Sequence, residues 1–383
     1  MSQQRERFLF GGARSVVAGL LALLLLSGVA AAAEIKIGAV SARTGDNAAL
    51  GEWQGNGAMM AAEEINAAGG VNGDKLVVVV EDSQGVPAQA VAALNKLIYR
   101  DHVVAVIGDS QSSPCLAMLP VIARAQIPML PHGTNVAITE QKNPWVFRTR
   151  ANDAIKFGSL ADFLLTKMGY KKIAVFHDSA DYGLGGAKNV EATLKEKGLK
   201  VLADESWTPG DKDFSSQLIT IKKLEPEVLI IIGPMVDMGL VMKQARQMGI
   251  KAQFAGGAGI ESVTTQGAAG GAAEGLIFAA GFIPANPDPK VQAFVRKYEQ
   301  LYKQTPNDFA ATGYDSIYLL AEAIKKAGST KLQAIREALR ATTYVGVEGT
   351  FKFNEVGEGL HDMQFGKVVN GVPTSFTPSA PRK

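Results

Sequence analysis

From Glu34 onward the sequence alternates short apolar runs with longer segments of helical period, and it does so twice in succession. A strand that is followed by a helix and then another strand pairs in parallel, because the helix carries the chain back over the sheet before the next strand begins. In the first series, strands are predicted at 35–40, 76–80, 103–107 and 128–130, and helices at 55–66, 87–99 and 114–125. The first of these helices carries Ala58, Ala61, Ala62 and Ile65 on one face. The second series gives helices at 154–168, 185–197, 214–224 and 238–248. Its strands fall at 173–177, 200–203 and 228–232, near 253 and at 275–279. After the turn-rich Asn286-Pro-Asp-Pro289 come helices at 290–303, 310–327 and 332–341, and the segments 350–353 and 365–369 are expected to form a closing hairpin pair. Two β-α series in 383 residues predict an α/β protein of two similar lobes, each a parallel sheet covered by helices on both faces.

Residues 1–33 have a different character. Arg5, Arg7 and Arg14 precede an apolar run at 16–26, which is followed by small residues and Ala31-Ala32-Ala33. This is the three-part form of a secretory signal with an A-x-A site, so cleavage is expected near Ala33 and a mature chain from about Glu34. The alternative is an uncleaved anchor, since 16–33 just reaches the length of a membrane span; the small residues at its end favour cleavage. No cysteine follows the run, so a lipid-modified N-terminus is not expected, and no later stretch is long and apolar enough to cross a bilayer.

Composition removes several classes. Basic and acidic side chains number 39 and 37, and the leader takes three Arg and one Glu with it, so the mature chain is formally neutral and lacks the basic excess of a nucleic-acid binder. A hydrophobic content of 47% argues against disorder, and Cys115, the one cysteine, cannot build a disulfide framework.

In open parallel sheets, ligands sit beyond the carboxyl ends of the strands, where loops turn into helix N-termini. Four such loops carry more hydroxyls and glycines than turning requires: Ser41-Ala-Arg-Thr-Gly-Asp46, Gly108-Asp-Ser-Gln-Ser-Ser113, Pro131-His-Gly-Thr-Asn135 and His177-Asp-Ser-Ala-Asp-Tyr-Gly183. Taken singly, Ser112, Ser113 and Thr134 read as helix caps. Taken together, hydroxyls beside free helix amides form a site for a carboxylate. Catalytic signals are thin. His102, His132, His177 and His361 lack ligand spacing, no HExxH, paired CxxC or Walker lysine is present, and no cofactor or metal is expected. Gly108-Asp-Ser110 is similar to the nucleophile block of Gly-Asp-Ser esterases, but those enzymes also need Asp-x-x-His, and the nearest match is Glu358-Gly-Leu-His361.

Over essentially its full mature length the chain resembles the periplasmic solute-binding proteins of the branched-chain amino-acid transport family. The matching blocks are Ile37-Gly-Ala-Val-Ser-Ala-Arg-Thr-Gly45, 57–66 with Gly69-Gly-Val-Asn-Gly73, Val106-Ile-Gly108 with Ser112-Ser113, Gly133-Thr-Asn135, His177-Asp178 with Tyr182-Gly183, and Gly210-Asp-Lys-Asp-Phe214. Their order and spacing carry the resemblance. It implies a non-enzymatic, periplasmic, monomeric protein that delivers a small ligand to the membrane permease of an ABC importer. Its two lobes would be joined by three crossovers and close about a hinge, lobe one from 34–152 plus 283–354 and lobe two from 153–282 plus 355–383. The implied ligand residues are Ser112 and Ser113 for a carboxylate, Gly133 and Thr134 for a carbonyl and a hydroxyl, and Tyr182 and Phe309 as aromatic walls.

The departures bear on the ligand. Where amino-acid-binding members of the family place an acidic partner for the ligand ammonium, this chain has Ala258, with Glu261 or Asp237 as possible substitutes. Met235 and Leu50 stand at positions that are usually aromatic, and Gln84 and Gln111 where some relatives carry a disulfide. Two ligand classes follow: an amino acid, from family membership, or an aromatic or branched carboxylate lacking an amine, from the missing acid.

Overall fold

The computed structural model of the protein describes residues 33–257, 259–359 and 363–378. The predicted leader, apart from Ala33, falls outside them, as does His361. Strands β1 (Glu34–Ser41), β2 (Lys75–Asp82), β3 (Ala105–Gly108) and β4 (Met129–Leu130) form one sheet in the order β2-β1-β3-β4. The ladders from β1 to β3 and from β3 to β4 are parallel. Between these strands lie helices α1 (Ala48–Ala67), α2 (Pro87–Tyr99) and α3 (Ser112–Ala125).

A second sheet holds β5 (Ile173–Asp178), β6 (Asp204–Trp207), β7 (Val228–Ile232), β8 (Gln253–Gly257) and β9 (Ile277–Ala280), all parallel. Two antiparallel strands, β12 (Gln364–Val369) and β13 (Val372–Ser375), extend it to the order β13-β12-β9-β8-β7-β5-β6. The short helix α4 (Ala137–Glu140) precedes α5 (Asp153–Asp162), which runs on into a π-helical turn at Phe163–Lys167. Helices α6 (Asp181–Glu196), α7 (Ser215–Lys223), α8 (Met235–Gln247) and α9 (Val263–Ala269) follow in turn. The chain then returns to the first layer, where α10 (Pro289–Tyr302), α11 (Asp308–Ala327) and α12 (Leu332–Arg340) precede the small ladder of β10 (Thr343–Val345) and β11 (Thr350–Lys352). The chain therefore passes between the two layers three times, after β4, after β9 and after β11. The central strands β3, β5, β7 and β9 are buried at every residue, as expected for strands covered on both faces.

Two expectations are corrected. The segment 350–353 does not pair with 365–369. Residues Thr350–Lys352 pair with Thr343–Val345 and Gln364–Val369 with Val372–Ser375, so each turns back on its own sequence neighbour. The strand expected at 200–203 lies at Asp204–Trp207, because β6 is the edge strand and its open side tolerates the polar Asp204-Glu-Ser that hides a strand pattern.

The helices also start earlier than predicted. The stretch Leu50-Gly-Glu-Trp-Gln54 lies before the helix predicted at 55–66, yet that helix runs from Ala48. Its glycines serve packing. A Cβ on Gly57 would collide with the carbonyl of Ala310, and one on Gly313 with the carbonyl of Gln54, so α1 and α11 lie together almost backbone to backbone.

Candidate functional site

A cavity of about 330 Å³ opens at the carboxyl ends of the strands, where the first turns of seven helices converge: Leu50 from α1, Pro87 from α2, Ser112 from α3, Lys156 from α5, Tyr182 from α6, Met235 from α8 and Phe309 from α11. Free amides at a helix start, together with the helix dipole, favour an anion there, so the arrangement by itself points to a negatively charged guest.

The α3 corner is the most complete. Gln111 caps the helix in extended conformation, and the amides of Ser112 and Ser113 precede the first helical hydrogen bond, which Cys115 donates to Gln111 at 3.3 Å. Ser112 Oγ accepts the amide of Asn135 at 3.1 Å, which fastens the 131–135 loop to this helix end. Thr134 in turn joins α5: its carbonyl accepts the amide of Asp153 at 2.8 Å, and its hydroxyl accepts from Lys156 Nζ at 2.9 Å. Opposite stands Tyr182, its ring centroid 4.9 Å from the same Lys156 nitrogen and 6.0 Å from the Phe157 ring. Leu50, Pro87, Met235, Met238 and Phe309 supply apolar wall.

Of the nine residues expected at the ligand, Leu50, Ser112, Ser113, Thr134, Tyr182, Met235 and Phe309 line this cavity. Gly133 does not. It lies behind the wall against Ser112 and Cys115, and its carbonyl accepts from Arg148 Nη1 at 3.1 Å. Ala258 lies outside the described residues. Neither suggested acidic substitute lines the cavity: Asp237 Oδ2 accepts from Trp207 Nε1 and Gly210 N, and Glu261 Oε2 accepts from Gly259 N. Asp178, which does line it, accepts the amide of Ala180, the residue before α6, at 2.7 Å, and burial pushes its carboxyl up to about 7.

Two charged cavity residues were missed by sequence reasoning, Arg150 and Lys156. Arg150 pairs with Asp308, donates to the carbonyl of His132 and lies 4.4 Å over the Phe309 ring. Lys156 pairs with Asp153 at 3.1 Å, one helical turn away. One signal was available: a lysine in the first turn of a helix opposes the dipole, and acidic residues are the rule there. Ser110, the candidate nucleophile, donates to Gln54 Oε1, and among the described residues no histidine hydrogen-bonds to it. The candidate base of that motif, His361, lies outside the described residues.

Glu261 gives the site a pH signature. Burial, seconded by the nearby Asp308 charge, pushes its carboxyl up to about 7 against the pull of backbone amides. A carboxyl with a raised folded pKa contributes stability that is full below its ordinary value near 4.5 and lost as pH rises through about 7. Glu261→Gln is therefore expected to gain roughly 1–3 kcal/mol on the wild type between pH 5 and pH 8. Urea unfolding at both pH values measures this, and parallel profiles would contradict it.

A family model described as periplasmic binding protein matches residues 34–372. A leucine-, isoleucine-, valine-, threonine- and alanine-binding protein of Pseudomonas aeruginosa is 33% identical over 346 residues, spanning 88% of this chain and 92% of its own. The crystal structure of a leucine-binding protein from Thermotoga maritima superposes with a TM-score of 0.84 at 29% identity, covering 90% of this chain and 98% of that one. A solute-binding protein from R. palustris in complex with benzoate gives 0.81 at 22% identity, over 91% and 97% of the two chains, a likeness of fold.

Proposed function

The chain belongs to the periplasmic binding protein family, and on that premise we propose that it is the exported solute-binding component of an ABC importer, capturing a small carboxylate-bearing ligand as its two lobes close. It is a binding protein and not an enzyme. The observation that carries the ligand chemistry is the corner where the α3 amides, Ser112 and Thr134 face Tyr182 across a cavity of about 330 Å³. Closure removes water from that corner, and the fixed dipoles then hold a carboxylate more strongly.

The first reading of the ligand is a branched-chain or other amino acid, the class named for the P. aeruginosa and T. maritima relatives. The second is an aromatic or branched acid without an amine. It is favoured by Asp237 and Glu261, which do not line the cavity and accept from Trp207, Gly210 and Gly259, so that Asp178 is the one carboxylate among the described residues of the wall. In this proposal the lobes divide at 152/153, 282/283 and 354/355, the leader is cleaved near Ala33, and the mature protein works as a monomer with a membrane permease.

The test is a thermal-shift panel on the mature protein with leucine, isoleucine, valine, phenylalanine, benzoate and 4-hydroxybenzoate. A true ligand at a hundredfold excess over its dissociation constant stabilises by about 2.7 kcal/mol. Ser112→Ala and Thr134→Ala are each expected to weaken binding about tenfold, the worth of one hydrogen bond to a charged group, while leaving the ligand-free melting point within a few degrees. Unchanged affinity in both variants would place the ligand elsewhere.

A further inference from the structure

Lys156 is a cation in an unfavourable place. Its side chain is only 3% exposed, it sits in the first turn of α5 at the positive end of the helix dipole, and it forms part of the cavity wall. Two hydrogen bonds hold it, to Asp153 Oδ1 and to the Thr134 hydroxyl. An ammonium has three protons, so one remains for a guest. The partner carboxylate is turned away from the guest: Asp153 does not line the cavity, and its second oxygen lies toward Gly185 of α6. Burial lowers the pKa of Lys156, and the Asp153 charge acts in the opposite direction.

An α-amino acid entering this corner would bring a second ammonium beside Lys156 and Arg150. It would find the Thr134 hydroxyl already accepting from Lys156, and the one carboxylate among the described wall residues, Asp178, already accepting the Ala180 amide through Oδ1. A carboxylate with no amine meets the opposite situation, with a cation, a helix start and hydroxyls all oriented to receive it.

We infer that Lys156 is a built-in counter-ion for the ligand carboxylate and holds the place that a ligand ammonium would take, so that the site selects an amine-free organic acid over the α-amino acid of the same carbon skeleton. This rests on the proposed role of the cavity as a carboxylate site and narrows it to one ligand class. Lys156 is thus a specificity-determining residue.

The experiment is calorimetric titration of the mature protein with matched pairs that differ only at the amine: leucine against 4-methyl-2-oxopentanoate, and phenylalanine against phenylpyruvate, with benzoate and 4-hydroxybenzoate alongside. At least one amine-free acid is expected to bind, and each 2-oxo acid that binds should exceed its amino acid by tenfold or more. Lys156→Gln should weaken the acid at least tenfold and shrink the ratio, and Lys156→Arg should keep part of it. Because Lys156→Gln leaves Asp153 buried without its partner, the double variant with Asp153→Asn repeats the measurement with both charges gone. An amino acid that binds as tightly as its 2-oxo partner overturns the inference and leaves the importer reading standing; loss of that binding in Asp178→Asn would then identify Asp178 as the ammonium's partner. Acid binding that is unchanged in both Lys156→Gln and the double variant overturns the role of Lys156. Silence toward every acid and amino acid overturns the cavity reading together with the inference.

Discussion

Arg148→Met is expected to lower the unfolding free energy by about 3–5 kcal/mol, the cost of stranding one member of a buried ion pair. Arg148 is wholly buried and donates to Glu358 Oε1 from Nε at 3.2 Å and from Nη2 at 2.8 Å. The same guanidinium donates to the carbonyls of Gly133 and Asn135 and to the Thr139 hydroxyl, so it also ties down the loop that presents Thr134. Removing it leaves the Glu358 carboxylate buried and three further acceptors short of a donor. Urea unfolding followed by tryptophan fluorescence reads the loss directly. Adding Glu358→Leu is expected to recover part of it, since an apolar pair carries no unbalanced charge. A single variant within 1 kcal/mol of the wild type would show that water reaches the pair.

Asp308→Ala is expected to cost a similar amount, about 3–5 kcal/mol, by a different route. One oxygen of Asp308 pairs with Arg150, and the other accepts the amides of Gly281 at 2.8 Å and Phe282 at 3.0 Å, just past β9. The substitution therefore orphans a buried guanidinium and two buried amides at once. Asp308→Asn, which keeps an acceptor for the amides and loses only the charge, is expected to cost less. Arg150 belongs to the cavity wall, so ligand affinity should change in both variants along with stability. If the two cost the same, the amides contribute little.

The fold was legible because parallel strands covered on both faces are continuous apolar runs, and 105–108, 173–178 and 228–232 stand out as such. The strands that were misplaced lie at edges or in hairpins, where one side meets water or a neighbouring turn and the apolar signal is diluted, as at Asp204–Trp207 and Thr343–Val345.

The site shows the opposite pattern. Helices were predicted to begin at 55, 114, 185, 238 and 310, and they begin at Ala48, Ser112, Asp181, Met235 and Asp308. The missing first turns are where Leu50, Ser112, Tyr182, Met235 and Phe309 reside. Residues that face a cavity are released from the apolar period of the buried face, so at these five helices the start read from the pattern falls late. Hydroxyls after strands were still recognisable as anion chemistry. Arg150 was not, because its partner is set by the fold: Asp308 lies 158 residues away. Lys156, whose partner Asp153 is only three residues away, was marked by its place in a first helical turn alone.

Arg148 and Arg150, two residues apart, take different partners far along the chain, Arg148 pairing with Glu358 and Arg150 with Asp308. During synthesis both arginines emerge long before either carboxylate has been translated. A nascent chain that stops short of residue 308 holds two guanidinium groups with nowhere dry to go, and one that stops short of 358 still holds one. The contacts through which these two arginines hold the 131–135 loop are therefore complete only once residue 358 has been made.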